Sequence, residues 1–186
     1  FRTIFDAAKM PFSYQVDAFT LGIDGINTTF DFEPEGKACT ETCYVDSLAG
    51  NDAFGGDSPS RAKQTIQAAV KQVVPGGKII VASGTYSENV TVTKPLALLG
   101  PNPDVCANAA DSPTLANPMR TAEATIAASS GNALTIAPDV DNVVIAGFRI
   151  VAPSAAGIVA RNAEAPGFDA IRIANNIFDG FGDGAI

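Results

Sequence analysis

From Lys78 onward the chain alternates between short apolar runs and turn residues. "KIIVA", "NVTVT", "LALLG", "ATIAA", "NALTIA", "NVVIAGFRIV", "GIVA" and "AIRIANNIF" follow one another, with Gly, Asn, Pro, Ser or Asp between them. Runs of this length with a period of two predict short β-strands, and no helix-period stretch separates them. Within "TYSENVTVTKPLALLG", Val90 and Val92 are expected to point inward and Thr91 and Thr93 outward. Lys94-Pro95 turns the chain into a strand carrying Leu96 and Leu98. The pattern before Lys78 is different. Ile66, Ala69, Val70 and Val73 fall on one face of a helix at roughly 60–73, with Ser58 or Ser60 as cap, Pro59 near the first turn and Pro75-Gly76-Gly77 as the stop. Tyr44 and Val45 read as a short strand, and residues 46–59 as a loop rich in Gly, Asp, Asn and Ser. Earlier still, "FRTIFDAAKM" is compatible with a short helix. "DAFTLGIDGINTTFDFEPEG" alternates as one hairpin with its turn near Asp24-Gly25.

Some runs repeat. "NVVIAGFRI" (142–150) aligns with "AIRIANNIF" (170–178), so that Ile145 matches Ile173 and Gly147 matches Asn175. "GNAL" (131–134), "AAGI" (155–158) and "DGAI" (183–186) align in the same way, at offsets of 24 and 28 residues. A period of 20 to 30 residues built from strands predicts a β-solenoid, in which inward side chains stack from one coil to the next. Gly and Asn at the corners supply the left-handed backbone that tight bends need, and Asn175 and Asn176 are candidates for an asparagine ladder. A solenoid end is a raw strand edge, so the amphipathic helix is expected to cap the first coil. At "GDGAI" a further coil would be starting. Either the protein continues there or another surface covers the edge.

The stretch from Gly50 to Asn102 resembles the opening of the right-handed parallel β-helix, or pectin-lyase-like, superfamily. The resemblance rests on a Gly-Asn-Asp loop, Thr-Ile-Gln-x-Ala-Val on the helix, Pro-Gly-Gly, Gly-Thr-Tyr-x-Glu-Asn-Val and a Leu-x-Leu-x-Gly strand. It implies an all-β fold: a right-handed parallel β-helix with an N-terminal amphipathic capping helix and an N-terminal extension. The organisation expected is an extension or arm at 1–38, a capping loop and helix at 39–77, and coils at 78–186. Pectinesterases, some pectate lyases and many non-catalytic surface and repeat proteins share this opening. The lyases use Asp-rich calcium sites with a Lys or Arg base, and the esterases paired Asp carboxylates with Arg and Gln. No matching cluster stands in this chain. Asp179 and Asp183 of "DGFGDG", with Arg172 nearby, lack a third acid or a placed base and read as turn aspartates. Tyr86 and Phe54 are the aromatic groups a sugar could stack on, but Tyr86 belongs to the fold motif.

Composition narrows the chemistry. The chain has 186 residues, room for one domain with a sizeable core or a domain plus an extension, and it contains no His and no Trp. Ser-His-Asp and Cys-His catalysis and His-ligated zinc are therefore excluded within it. The formal net charge of −8 argues against nucleic acid and anionic membrane surfaces as partners. No run is long enough to span a membrane, and no signal peptide stands at the start. Phe1 in place of Met points to a processed or partial chain.

Asp46, Asn51, Asp52 and Asp57 crowd one Gly-rich loop, and their hard oxygens are candidates to hold calcium. A hydrogen-bonded loop that caps the helix is the alternative. Asp24, Asn27 and Asp31 form a weaker calcium candidate. The three cysteines, Cys39, Cys43 and Cys106, fit a disulfide in a secreted protein better than a metal site, with the pairing open. Asn27 and Asn89 stand in N-glycosylation sequons. These features lead to the expectation of a non-catalytic extracellular or cell-surface structural or adhesive protein. Its partners would be copies of itself or other surface proteins, joined head to tail into an assembly or filament. The competing expectations are a polysaccharide-active lyase or esterase with catalytic coils beyond residue 186, and a calcium-dependent carbohydrate-binding module.

Overall fold

The computed structural model describes residues 18–23, 26–31, 37–109, 112–160 and 170–180. The expected helix at "FRTIFDAAKM", the turn at Asp24-Gly25 and the "DGAI" repeat lie outside them. The chain divides into two compact units, Phe1–Pro34 and Glu35–Ile186.

The first unit contains one antiparallel ribbon, β1 (Ala18–Ile23) paired with β2 (Ile26–Asp31). Its register sets Phe19 against Phe30, Leu21 against Thr28 and Ile23 against Ile26.

The second unit begins with β3 (Thr42–Val45), a 3-10 turn at Pro59–Arg61 and the helix α1 (Ile66–Gln72). There follow β4 (Gly77–Val81), β5 (Gly84–Tyr86), β6 (Val90–Val92) and β7 (Leu96–Leu99). A short antiparallel ribbon, β8 (Asn108–Ala109) with β9 (Ser112–Ala116), interrupts the series. The series resumes with β10 (Ala124–Ala127), β11 (Leu134–Ile136), β12 (Val143–Ala146) and β13 (Phe148–Val151). It continues with β14 (Ile158–Ala160), β15 (Arg172–Ala174) and β16 (Ile177–Asp179). Apart from the β8–β9 ribbon, these strands form three parallel sheets, in the orders β15-β12-β7-β4-β3, β16-β13-β10-β5 and β14-β11-β6. Each pass of the chain adds one strand to each sheet in turn. The architecture is mostly β, built chiefly of parallel sheets with very little helix, and is compatible with a β-solenoid.

The register bears out the repeats. Ile145 pairs with Ile173 and Leu134 with Ile158, the 28- and 24-residue offsets respectively. Gly147 and Asn175 occupy matching corners, with φ of 84° and 57°. Between Leu98 and Ile145 the spacing is wider, because residues 100–123 leave the coil and carry the β8–β9 ribbon. Inward positions form ladders: Cys43, Ile79, Leu98, Ile145 and Ile173 in the largest sheet, and Tyr86, Ile126, Ile150 and Phe178 in the next. Each fully buried Ile or Leu contributes about 1.5–3 kcal/mol, and one apolar cluster joins all three sheets to α1. Val90 and Val92 are buried and Thr91 and Thr93 exposed, as the alternation requires.

The helix is shorter than the sequence pattern suggests. Residues 60–65 do not join it. Pro59–Arg61 forms a separate 3-10 turn after Ser58, whose side chain makes no capping bond. The cap of α1 is Thr65, whose Oγ1 accepts from the Ala68 amide. The predicted apolar face is real, since Ile66, Ala69, Val70 and Val73 are all completely buried. Asn175 and Asn176 do not build a ladder of like residues among the described residues. Asn176 instead bonds the backbone of the previous pass, donating to the Ile145 carbonyl and accepting from the Phe148 amide. Asn175 donates to the Pro103 carbonyl.

Candidate functional site

The acidic loop between β3 and α1 holds most of the chemistry anticipated from sequence. Asp46 Oδ1 accepts from the amides of Leu48 (2.8 Å) and Ala49 (3.1 Å), closing a turn on its own backbone. Asn51 Oδ1 does the same for the Ala53 amide. Asp52 reaches further. Its Oδ1 accepts from the amides of Gln64 and Thr65, and its Oδ2 from the Thr65 hydroxyl at 2.8 Å. Asp57 faces Arg61 at 3.8 Å. Lys63 is buried against this loop, and its Nζ donates to the Asp52 carbonyl at 2.9 Å. Gly50 is required here, since a Cβ would collide with the carbonyl oxygens of Asp46 and Lys63. Asp46, Asn51 and Asp52 thus each accept from backbone N–H groups, while Asp57 pairs with a side chain. Among the described residues, no three His, Cys, Asp or Glu side chains converge as a metal-holding group.

A second carboxylate converges on the same helix end. Both oxygens of Glu88, in the β5–β6 turn, accept from the first amides of α1, Ile66 (2.8 Å) and Gln67 (3.0 Å). A helix leaves its first amides unpaired, and carboxylates at that end complete them. Burial nevertheless raises the Glu88 pKa above the ordinary value of 4.5. The two amide bonds oppose the rise, and Asp52 adds to it by charge repulsion. At the other end of α1, Lys94 Nζ donates to the carbonyls of Lys71 and Val73.

Tyr86 is a corner residue. Its hydroxyl donates to the Ala82 carbonyl at 2.9 Å and accepts from the Ser47 amide at 3.3 Å. Burial pushes its pKa from 10 up to about 12. Its ring belongs to the interior, at 2% exposure, and offers no platform to a sugar. Phe54 is partly exposed.

One cluster was not anticipated. Arg120 forks onto Glu123, Nε to Oε1 at 2.7 Å and Nη2 to Oε2 at 2.9 Å, while Nη1 donates to the carbonyls of Val105 and Asn175. Asn102 joins it, donating to Glu123 and the Thr121 carbonyl and accepting from the Thr121 amide. The Arg120 side chain is only 4% exposed. The cluster pins the 100–123 excursion to the later pass that carries Asn175. Its only sequence signal is the i, i+3 spacing of Arg120 and Glu123.

The remaining candidates scatter. Asp179 pairs with Arg149, not with Arg172, and Asp183 lies outside the described residues. Cys39 and Cys43 form a disulfide across a Cα–Cα distance of 5.1 Å, leaving Cys106 as an exposed thiol. Asn89 is exposed, and its Nδ2 donates to the carbonyls of Ser130 and Asn132 on the next pass. Asn27 lies in β2, paired with Gly22, and Asp31 opposes Ala18 at the other end of the ribbon. Asp24 lies outside the described residues. No helix among the described residues is long and apolar enough to cross a membrane. Comparison with protein-family profiles, with curated proteins and with solved structures gave no match.

Proposed function

We propose that this chain is a non-catalytic structural or adhesive module of an extracellular or cell-surface assembly. It would be built as a right-handed parallel β-helix with α1 closing its first coil. One observation carries the reading. Most of the polar side chains near the candidate positions are spent on the chain's own backbone: Asp46 and Asn51 on loop amides, Asp52 and Glu88 at the start of the helix, Asn89 and Asn176 between passes; Asp57 and Asp179 pair with arginines. What remains for contact is the regular outer surface of stacked strands. Three features support the location and mode of assembly. The Cys39–Cys43 disulfide suits an oxidising compartment. The acidic composition favours protein partners over nucleic acid. The three sheets stack parallel strands pass on pass, an arrangement to which strands can be added at an edge.

The test has two arms. Incubation with pectin and polygalacturonate in the presence of calcium should release neither unsaturated products nor methanol. Either product would overturn the reading in favour of a polysaccharide-active enzyme. Sedimentation velocity and electron microscopy should show concentration-dependent assembly, and monodisperse monomers at high concentration would count against it.

A further inference from the structure

Each parallel sheet ends on one side with its earliest strand: β3 in the largest, β5 in the next and β6 in the smallest. Such a strand bonds a neighbour through alternate residues and leaves the N–H and C=O of the others facing outward along the edge. In β6 the alternation is explicit. The Val90 amide donates to the Ala133 carbonyl, and the Val92 carbonyl accepts from the Ala137 amide, both on the next pass. Thr91 lies between them in this three-residue strand, and its backbone turns the other way, toward α1. It is the place where a further strand would bond.

That place is taken by a side chain. Gln67 of α1 sets its amide against Thr91: Oε1 accepts from the Thr91 amide at 2.7 Å, and Nε2 donates to the Thr91 carbonyl at 3.4 Å. A side-chain amide carries a carbonyl acceptor and N–H donors in one plane, so it can reproduce the pair of bonds that a strand makes with one residue. Gln67 is held for this task. Its own backbone amide donates to Glu88 Oε2, and Ile66 beside it is completely buried. Glu88 stands just before β6, so one short segment fixes both the backbone and the side chain of Gln67. The edge of β3 is closed in a related way by main chain. The Tyr44 amide donates to the Gly56 carbonyl, the Tyr44 carbonyl accepts from the Lys63 amide, and the Asp46 amide donates to the Lys63 carbonyl.

We infer that Gln67 is a plug in a strand-addition site. Its amide occupies, from within the chain, the pairing position on β6 and so bars a strand of a second copy from the first pass. An open N–H and C=O at a strand edge recruits other chains, and a plug of this kind removes both groups at once. Strand addition between copies is thereby directed away from the first pass. The inference rests on α1 closing the first coil, and it stands whether or not the module assembles.

The full chain tests this with Gln67→Met, which keeps the length of the side chain and removes both bonds. Gln67→Ala, with the best helix former, is the second variant, and circular dichroism establishes that each folds. Hydrogen exchange should show the Thr91 amide exchanging at least about tenfold faster than in wild type, with the Val90 amide unchanged. At matched concentration the variants should self-associate about tenfold more tightly than wild type in sedimentation velocity, the worth of two hydrogen bonds. Thr91→Pro removes the N–H that faces the plug and leaves the bonds to the next pass, so Gln67→Met combined with Thr91→Pro should return association to the wild-type level. A folded variant whose Thr91 amide stays protected, or which associates no more tightly than wild type, overturns the plug and leaves the structural reading standing. Added association that survives Thr91→Pro uses another surface and overturns the plug as well. Polysaccharide cleavage by the wild type brings down the structural reading alone, since the exchange and association of the variants still decide the plug.

Discussion

The Arg120 cluster gives the most quantitative prediction. Arg120→Ala removes a forked ion pair and two carbonyl bonds at once, and leaves Glu123 with Asn102 Nδ2 as its remaining partner at 3.1 Å. Breaking a buried pair by deleting one partner costs about 3–5 kcal/mol, because the other charge is left behind in a poorly solvated place. Glu123 keeps 20% of its surface in water, which moves the expected loss to the low end, about 3 kcal/mol. For a chain of this size that is a fall in Tm of roughly 6–12 °C. Urea unfolding followed by circular dichroism measures it, and hydrogen exchange should show amides of 101–123 losing protection ahead of the sheets. The control is a double-mutant cycle. Arg120→Met with Glu123→Leu removes both charges and should cost less than the two single changes added together, by roughly 0.5–3 kcal/mol. A loss under about 1 kcal/mol for Arg120→Ala, or strict additivity in the cycle, would falsify the account of the cluster as a desolvated clamp.

Four further outcomes follow from the geometry. Because the folded pKa of Glu88 is raised, the folded state holds its proton more tightly than the unfolded state. Wild-type stability should therefore rise relative to Glu88→Gln as the pH falls from neutral through that raised value to about 4.5, and urea midpoints across this window check the sign. Tyr86→Phe leaves the Ala82 carbonyl unpaired and should cost about 1–2 kcal/mol at pH 7. The mutant should lose the steep fall in stability that wild type shows as the pH rises above 10, where the unfolded tyrosine ionises first. Gly147→Ala places a Cβ 2.5 Å from the Asn102 carbonyl carbon and the Pro103 nitrogen at a φ of 84°, so thermal melts should show a loss above about 2 kcal/mol. Replacing Cys39 and Cys43 together by Ser opens a very short loop, for which chain entropy gives about 2 kcal/mol, measurable by chemical denaturation.

The strands were legible because their signal is local. Val90 and Val92 alternate with threonines, and a period-two pattern assigns each residue to a face without knowledge of its partner. The stacking was legible as well, since Ile145 and Ile173 recur with a matched Gly147 and Asn175 at the bend. Groups whose partners are remote in sequence were not. The spacing offers Ser58 or Ser60 as cap, yet α1 begins after Thr65, which Asp52 fixes from thirteen residues away. The carboxylate that completes the helix end, Glu88, comes from the β5–β6 turn, two strands on and twenty-two residues from Ile66. Arg120 finds the Asn175 carbonyl fifty-five residues on. The cysteine pairing needed β3 to set Cys43 inward beside Cys39, while Cys106 stands exposed in the 100–123 excursion.

The same asymmetry bears on how the module forms and what it can offer a partner. A helix of seven residues has no stability of its own in water. Here it is held by Asp52 from one side, Glu88 from another and Lys94 at its far end, so its stability depends on the acidic loop and the first parallel strands around it. Each later pass stacks on the one before it, with the Asn89 and Asn176 side chains bonding the backbone of a neighbouring pass. Growth by addition to an existing edge is the physical logic of stacked repeats, and it consumes the polar side chains as it proceeds. Two threonine-bearing outer faces can stay in water at little cost. The five-stranded sheet differs from them in keeping Tyr44, Ile80, Leu99 and Ala174 partly exposed at outward positions, with Ala146 buried between the last two.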